Sequence, residues 1–229
     1  MADIVIHHHL GLGDHIDCNG MVRYFADLYE DDVIHTFAKE QYFDMIEWMY
    51  RDEEQIKVHK IQGNEYAGVY NFMKENDFSS EDLYIVGHGN YPTNPSPDKN
   101  CWEYFYEQLG IDLDIKQDFF YVEPDDDEEK RVFDKLNPTG EDYVFVHDDP
   151  ARGFSIDIEN NLKIIRNDIS ENIFNFAKII ENAKEIHLME SSFKSMVEHY
   201  PTKGKLFFHD FREHPLGKHE KDWTVIEYD

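Results

Sequence analysis

The residues best suited to chemistry near the start of the chain form a glycine-containing loop, Gly11-Leu12-Gly13-Asp14. Two glycines let the backbone turn tightly and approach a ligand, and a helix that follows such a loop presents unpaired N–H groups to an anion. Asp14 is a candidate general base, and the alternative is that it caps the helix. The dinucleotide-binding fingerprint is incomplete, because Ile16 stands where that fingerprint has Gly or Ala. We therefore do not expect an NAD site.

A second set of polar residues lies in the last third of the chain. Ser191 and Ser192 stand between an apolar segment and a helical pattern, where hydroxyls and N–H groups can hold a phosphate, and Lys194 would neutralise its charge. Arg152 follows another apolar segment and carries the planar guanidinium that suits a diphosphate. The plainer alternatives are a serine that only caps its helix and a β-turn with a surface arginine.

Several histidines surround Asp14 and raise the possibility of a metal site. The spacing argues against it, because four residues separate His9 from Asp14 and strand alternation puts His8 on the opposite side from His7 and His9. Two cysteines, Cys18 and Cys101, lack any zinc or disulfide spacing. We expect chemistry without a metal, and the alternative is a metal-dependent hydrolase or phosphoesterase built from His7, His9, Asp14, His15 and His88.

The formal net charge of -27 opposes binding to nucleic acids or anionic membranes. Residues 1–138 hold 31 acidic against 11 basic residues, whereas residues 139–229 hold 18 against 11, so the second part is the better host for an anionic ligand. The first residues lack the features of a signal peptide, and no apolar run approaches the length of a membrane span. We expect a soluble, cytoplasmic protein.

Apolar segments of strand type alternate with helical patterns along the chain. Strands are predicted at residues 3–9, 33–37, 55–61, 83–86, 143–146, 153–158, 162–165, 185–189, 205–209 and 224–228. Helices are predicted at residues 16–29, 39–50, 65–74, 102–109, 125–136, 171–182 and 191–200. Such alternation predicts an α/β protein with mostly parallel sheets, organised as two Rossmann-like units. The break at residues 137–140 places the domain boundary between residues 138 and 139.

Two of these motifs resemble known enzymes. The segment His9-Leu10-Gly11-Leu12-Gly13-Asp14, with Asn19 and Arg23 after it, resembles the N-terminal motif of heptosyltransferase-like enzymes of the GT-B fold. Glu190-Ser191-Ser192-Phe193 is similar to the donor motif of those enzymes and to a Ser-Phe segment of fucosyltransferases of the same fold, although Ser192 replaces the usual Gly and Ser195 the usual His. The segment that carries Arg152 resembles, more loosely, an arginine motif of the fucosyltransferases.

The resemblance implies a GT-B-like glycosyltransferase that moves a sugar from a nucleotide-diphosphate donor to a hydroxyl acceptor. The likeness to fucosyltransferases favours GDP as the donor nucleotide. Asp14 would be the catalytic base, and Asn19, Arg23 and His88 would lie on the acceptor side, in the first domain. No separate cofactor is expected. The alternative is a non-catalytic nucleotide- or glycan-binding module. The residues expected to bind the donor or its phosphates are Gly11, Gly13, Arg152, Glu190, Ser191, Ser192 and Lys194.

Overall fold

The chain folds into two compact units, Met1–Glu123 and Pro124–Asp229. The computed structural model describes residues 3–96, 98–159, 161–211 and 218–228. Each unit is of the α/β class and has a parallel sheet, as the alternating pattern predicts. No helix in the described ranges is long and apolar enough to cross a bilayer.

The first unit alternates strands and helices around a four-stranded sheet. Its described elements are β1 (Asp3–His7), α1 (Leu12–Asp17), α2 (Asn19–Leu28), β2 (Val33–Lys39), α3 (Phe43–Met49), β3 (Ile56–Ile61), α4 (Glu65–Glu75), β4 (Leu83–Ile85), α5 (Cys101–Leu109) and α6 (Ile115–Asp118), with a 3-10 turn at His88–Asn90. All strand pairs are parallel, in the order β3-β2-β1-β4.

The core of the first unit explains why β1 is continuously apolar. Ile4, Val5 and Ile6 are all buried, because helices cover both faces of the sheet. Val5 belongs to a buried cluster with Val69 and Met73 of α4, which fixes that helix against the strand. Helix α4 starts where the Asn64 side chain accepts a hydrogen bond from the N–H of Ala67, at 3.0 Å.

The short helix α6 was not predicted from the sequence, since it has only one turn. It packs closely on α2, and a Cβ atom at Gly20 would lie 2.6 Å from the carbonyl oxygen of Ile115. Lys116 of α6 is fully buried and pairs with Asp17 of α1 at 3.0 Å. A buried ion pair between distant segments has no signature in local periodicity.

The second unit has the same kind of architecture with one more strand. Its described elements are α7 (Asp126–Leu136), β5 (Tyr143–His147), β6 (Lys163–Arg166), α8 (Ala177–Asn182), β7 (Glu185–Leu188), α9 (Ser192–His199), β8 (Lys205–Asp210) and β9 (Trp223–Glu227), with 3-10 turns at Pro150–Arg152 and Ile173–Phe176. All strand pairs are parallel, in the order β6-β5-β7-β8-β9.

The boundary between the units lies earlier than the sequence places it, and helix α7 belongs to the second unit. Lys178 of α8 pairs with Asp126 of α7 at 2.7 Å, and Lys135 of α7 pairs with Glu171 at 2.6 Å. These contacts join α7 to the segment before β7. The break at residues 137–140 is therefore a turn inside the second unit.

One predicted strand, at residues 153–158, is wrong. A single antiparallel bridge joins Asp149 to Phe154, and Gly153 has a φ of 86°, which closes a turn. The backbone of Ile156 is bonded to side chains instead, because Asp148 accepts its N–H at 2.8 Å and Arg166 donates to its carbonyl at 3.3 Å. The predicted helix at residues 171–182 is a 3-10 turn followed by α8.

Candidate functional site

The strand order of the first unit defines a topological switch point. β2 and β3 lie on one side of β1 and β4 lies on the other, so the order reverses between β1 and β4. Open parallel sheets bind ligands at such a switch point, outside the carboxyl ends of the strands. The loop after β1 ends at Gly11, the first turn of α1 carries Gly13 and Asp14, and the turn after β4 carries His88. The fold therefore brings these predicted residues to one switch point.

The loop after β1 is tightly built around Asp14. Gly11 is the residue before α1, and a Cβ atom on it would lie 2.6 Å from Oδ2 of Asp14. Any larger residue at Gly11 would displace this carboxylate. Asp14 itself is the third residue of α1 and is partly buried, and Gly11 occupies the cap position. The alternative that Asp14 is the N-cap of the helix is therefore wrong, and the general-base assignment stays a prediction.

The loop after β4 turns back onto the histidines of β1. Gly87 and His88 have positive φ angles of 73° and 49°, and a Cβ atom on Gly87 would lie 2.7 Å from Nε2 of His9. His88 donates its backbone N–H to that same nitrogen of His9 at 2.7 Å, and its own Nε2 lies 3.1 Å from the carbonyl oxygen of His8. The ring of His88 lies 4.3 Å from the ring of His7, centroid to centroid. The sequence did not predict this packing.

The histidines beside this loop are held in the neutral form. Burial, with smaller effects from His88, His8 and His9, lowers the pKa of His7 to about 3. Burial also lowers the pKa of His8 to about 4 and holds the pKa of His15 well below its usual range. Neutral imidazoles bind metals and hydroxyl groups and do not attract anions by charge.

A possible metal-binding group lies at this switch point. His7, Glu65 and His88 each offer a ligand atom, and the three atoms lie within 4.8 Å of one another. Glu65 is the first residue of α4 and was missed in the sequence, because an acid at the start of a helix is commonplace. Of the histidines considered for a metal from the sequence, only His7 and His88 belong to this group, within the residues that the structure describes.

A cavity of about 480 Å³ begins at His7 and runs between α4 and β4. Its walls are largely apolar, with Tyr66, Tyr70 and Met73 from α4 and Ile85 from β4. Tyr66 also contacts the ring of His88, at a centroid distance of 5.0 Å. The first unit thus offers a sizeable apolar space beside its histidines.

Two residues predicted on the acceptor side have structural partners within the first unit. Asn19 is fully buried and accepts the backbone N–H of Tyr121 at 3.0 Å. Arg23 is buried, forms a two-pronged ion pair with Asp52 at 2.8 and 3.0 Å, and donates to the carbonyl oxygen of Met49 at 3.2 Å. These bonds fix both side chains inside the first unit, while Nδ2 of Asn19 and Nε of Arg23 are buried without a hydrogen-bond partner among the described residues, so the acceptor-side role stays a prediction.

The second unit has its own switch point, between β5 and β7. β6 lies on one side of β5, and β7 to β9 lie on the other. The loop after β5 carries Arg152, the loop after β7 carries Glu190 and Ser191, and Ser192 begins helix α9. As in the first unit, the fold brings the predicted residues of two loops to one place where open sheets bind ligands.

The loop after β7 leads directly into helix α9. Ser191 is the residue before the helix, and its hydroxyl donates to the carbonyl oxygen of Met189 at 3.1 Å instead of capping the helix. Ser192 is the first helical residue, and both serines and Glu190 are partly buried. The backbone N–H groups at the start of α9 thus donate no hydrogen bond to the Ser191 side chain, and the alternative that Ser191 is a plain side-chain cap is wrong.

The loop after β5 holds two arginine–aspartate pairs. Arg152 is exposed and pairs with Asp149, three residues before it. Arg166, the last residue of β6, pairs with Asp148. Sequence reasoning did not select Arg166, because it ends a strand whose neighbours in the sheet are set only by the fold.

Lys194 lies in a buried ion cluster, which corrects its predicted role at a phosphate. Its Nζ is 3.2 Å from Glu198 and 3.0 Å from Nδ1 of His219, and its side chain is only 4% exposed. Glu198 also accepts hydrogen bonds from the N–H of Glu220 at 2.9 Å and from the indole of Trp223 at 2.8 Å. Burial alone would raise the pKa of Glu198, but these charges and hydrogen bonds lower it to about 2.

A histidine at the end of β5 was also missed as a site residue. Nδ1 of His147 lies 2.8 Å from the amide oxygen of Asn167, which follows β6, and the imidazole packs on Phe193 of α9. Burial lowers the pKa of His147. The only signal in the sequence was its position directly after four buried apolar residues.

No protein-family model and no curated protein matches the sequence. A glycosyl transferase family 9 protein from Veillonella parvula superposes with a TM-score of 0.61 and 9% identity, over 99% of this chain and 86% of that one. ADP-heptose LPS heptosyltransferase II of Escherichia coli superposes with a TM-score of 0.56 and 8% identity, over 98% and 90%. The chain has the fold of GT-B glycosyltransferases.

A third structure with this fold belongs to a longer chain. The iron-containing dodecameric glycosyltransferase TibC of enterotoxigenic E. coli superposes with a TM-score of 0.52 and 11% identity, over 90% of this chain and 57% of that one. The predicted GT-B-like fold with two mostly parallel sheets is thus confirmed. At such identities the similarity concerns the fold, and function has to be argued from the sites.

Proposed function

We propose that this chain is a glycosyltransferase that moves a sugar from a nucleotide-diphosphate donor to a hydroxyl acceptor. The observation that carries the proposal is that each GT-B-type unit places its predicted motif at its own topological switch point. In the first unit this motif is Gly11–Asp14, and in the second it is Arg152 with Ser191 and Ser192. The solved structures with the same fold are glycosyltransferases.

In the first unit, Asp14 would take the proton of the acceptor hydroxyl. We favour the carboxylate of Asp14 over the adjacent histidines because the rings of His8 and His9 already contact backbone groups. General-base help of this kind is worth about 10²- to 10⁴-fold in rate. Gly11 supports the assignment because its missing side chain leaves the space that the carboxylate occupies.

In the second unit, the start of α9 would hold the donor diphosphate. Backbone N–H groups at a helix N-terminus and the hydroxyl of Ser192 suit phosphate oxygens. Arg152 is exposed at the neighbouring loop, and a diphosphate would compete with Asp149 for its guanidinium. Lys194 would act indirectly, by fixing the first turns of α9. We propose that donor binding at this unit needs no metal.

The donor base is a choice between two expectations. The fucosyltransferase-like segments Glu190–Phe193 and the loop of Arg152 favour GDP. The E. coli heptosyltransferase of the same fold is named for ADP-heptose, so ADP is the second candidate nucleotide. Both enter the same test.

The test measures the melting temperature of chelator-treated protein with GDP, ADP, UDP, CDP or dTDP, followed by donor consumption with the matching sugar nucleotides. A nucleotide at 100 times its Kd stabilises the folded chain by about 2.7 kcal/mol. Arg152→Ala should reduce the shift, and Arg131→Ala, which removes another exposed, acid-paired arginine, should not. No shift with any nucleotide would refute donor binding, and a shift without turnover would identify a non-catalytic module.

A further inference from the structure

A group of metal-ligating side chains lies at the switch point of the first unit. We propose that His7, Glu65 and His88 bind a divalent cation of the zinc class. The group is assembled from the end of β1, the start of α4 and the turn after β4. It lies in the first unit, so the proposal is independent of the proposed donor site in the second unit.

The orientation of His88 is fixed by its backbone and by one hydrogen bond. Its Nε2 lies 3.1 Å from the carbonyl oxygen of His8, a contact that requires the proton on Nε2. Nδ1 then carries the lone pair that would bind the metal. Histidine ligands in metal sites commonly donate their second N–H to a backbone carbonyl in this way, which fixes the tautomer and the ring.

His7 provides the second nitrogen and has an unpaired buried atom. The Nε2 atom of His7 is buried and has no hydrogen-bond partner among the described residues, and the residue is 1% exposed. A buried polar atom without a partner costs about 1–3 kcal/mol. A metal bond to this nitrogen would remove that cost.

Glu65 supplies an anionic oxygen. Lys39 lies 2.8 Å from Oε1 of Glu65, which leaves the carboxylate with a second oxygen for the cation. Carboxylates that bind metals are themselves often held by hydrogen bonds. The Lys39 contact also brings a positive charge near the site, so the negative charge of Glu65 is needed to offset it.

The donor set selects the class of cation. Two imidazoles and one carboxylate suit zinc and related transition metals, whereas Mg²⁺ and Ca²⁺ prefer oxygen ligands. Zinc bonds of about 2.0–2.1 Å would hold the ligand atoms about 3.3–3.5 Å apart, so separations that now lie within 4.8 Å must contract by up to about 1.5 Å. Three protein ligands leave an open position, as in catalytic zinc sites, beside the apolar cavity that starts at His7.

The experiment titrates chelator-treated protein with Zn²⁺ in competition with a chromophoric chelator, and with Co²⁺ by visible absorption. Wild type should bind one equivalent and show the intense bands of four-coordinate Co²⁺. His88→Ala and Glu65→Gln should each weaken zinc binding by at least 10-fold, since changes to groups that merely support a ligand already cost 10- to 100-fold. Melting curves of the metal-free variants verify that they fold.

The matched control is His59→Ala, which removes a histidine of the same sheet that pairs with His35 and lies outside the group. It should keep the affinity and the Co²⁺ spectrum of wild type. The proposal is overturned by the absence of saturable binding to wild type, by unchanged affinity in both folded ligand variants, or by an equal loss in His59→Ala. None of these readouts depends on glycosyl transfer.

Discussion

The two units bury titratable side chains in different ways. Around the first switch point His7, His8 and His15 are buried as neutral imidazoles, with lowered pKa values. Below the second, Glu198 is buried as a carboxylate because Lys194 and His219 surround it. Burial destabilises a charged side chain, so a buried titratable group either becomes neutral or is paired with an opposite charge. The first unit therefore offers uncharged ligands for a metal or a hydroxyl, and the second a charged framework below a phosphate-type helix N-terminus.

The largest effect that can test this contrast is the loss of stability of the first unit at acid pH. A histidine whose folded pKa is lowered contributes stability above its unfolded pKa of about 6.5, and this contribution is lost as the pH falls towards the folded pKa. As the pH falls from 6.5 to 4, the lowered pKa values of His7 and His8 should each reduce the free energy of unfolding by about 3 kcal/mol. Five described histidines of the first unit have lowered pKa values, against three in the second.

Hydrogen exchange resolved by peptide measures this difference. Peptides of β1 and α1 should lose protection before those of α9 as the pH is lowered from 6.5 to 4. The carboxylate of Glu198 is affected only at lower pH. Its lowered pKa means that its stabilising contribution persists down to about pH 4.5 and is lost between pH 4.5 and about 2. Earlier opening of α9 would contradict the contrast.

The next largest effect is expected from removing the carboxylate of the second unit. Glu198→Ala leaves Lys194 buried without its anion, and breaking a buried pair typically costs about 3–5 kcal/mol of unfolding free energy. The matched control is Asp134→Ala, since Lys130 and Asp134 form an i,i+4 pair of the same kind on the exposed face of α7. This variant should lower the unfolding free energy by less than about 1 kcal/mol. Urea unfolding of both variants measures the difference, and equal losses would refute the charged-cluster interpretation.

A smaller effect in free energy, but a decisive one for function, is expected at Asp14. Asp14→Asn retains size and removes the base, so kcat should fall by about 10²-fold or more, about 2.7 kcal/mol, with an unchanged melting temperature. Asp27→Asn, an exposed acid on α2, is the control and should retain activity. Steady-state rates with the donor found in the nucleotide panel decide the matter, and near wild-type turnover of Asp14→Asn would end the general-base assignment.

Local pattern in the sequence determined the elements and hence the class of fold. Continuous apolar runs such as Ile4–Ile6 predict strands covered on both faces, and glycine loops between strand and helix mark the ligand edge. The same patterns placed Asp14, Ser191 and Ser192 correctly after their strands. They failed at residues 153–158, where side chains of Asp148 and Arg166 bond the backbone and replace a neighbouring strand.

Only the tertiary structure decided which side chains meet. Strand order is set by long-range pairing, so no local pattern shows that β4 lies beside β1 and brings His88, 81 residues along the chain, onto His7. Glu65 joins them because α4 packs on the same edge, and Lys194 leaves the phosphate edge because Glu198 and His219 bind it in the interior. The sequence determines periodicity and turn chemistry, which are local, whereas the partners of buried polar groups depend on contacts that form only when the whole sheet is assembled.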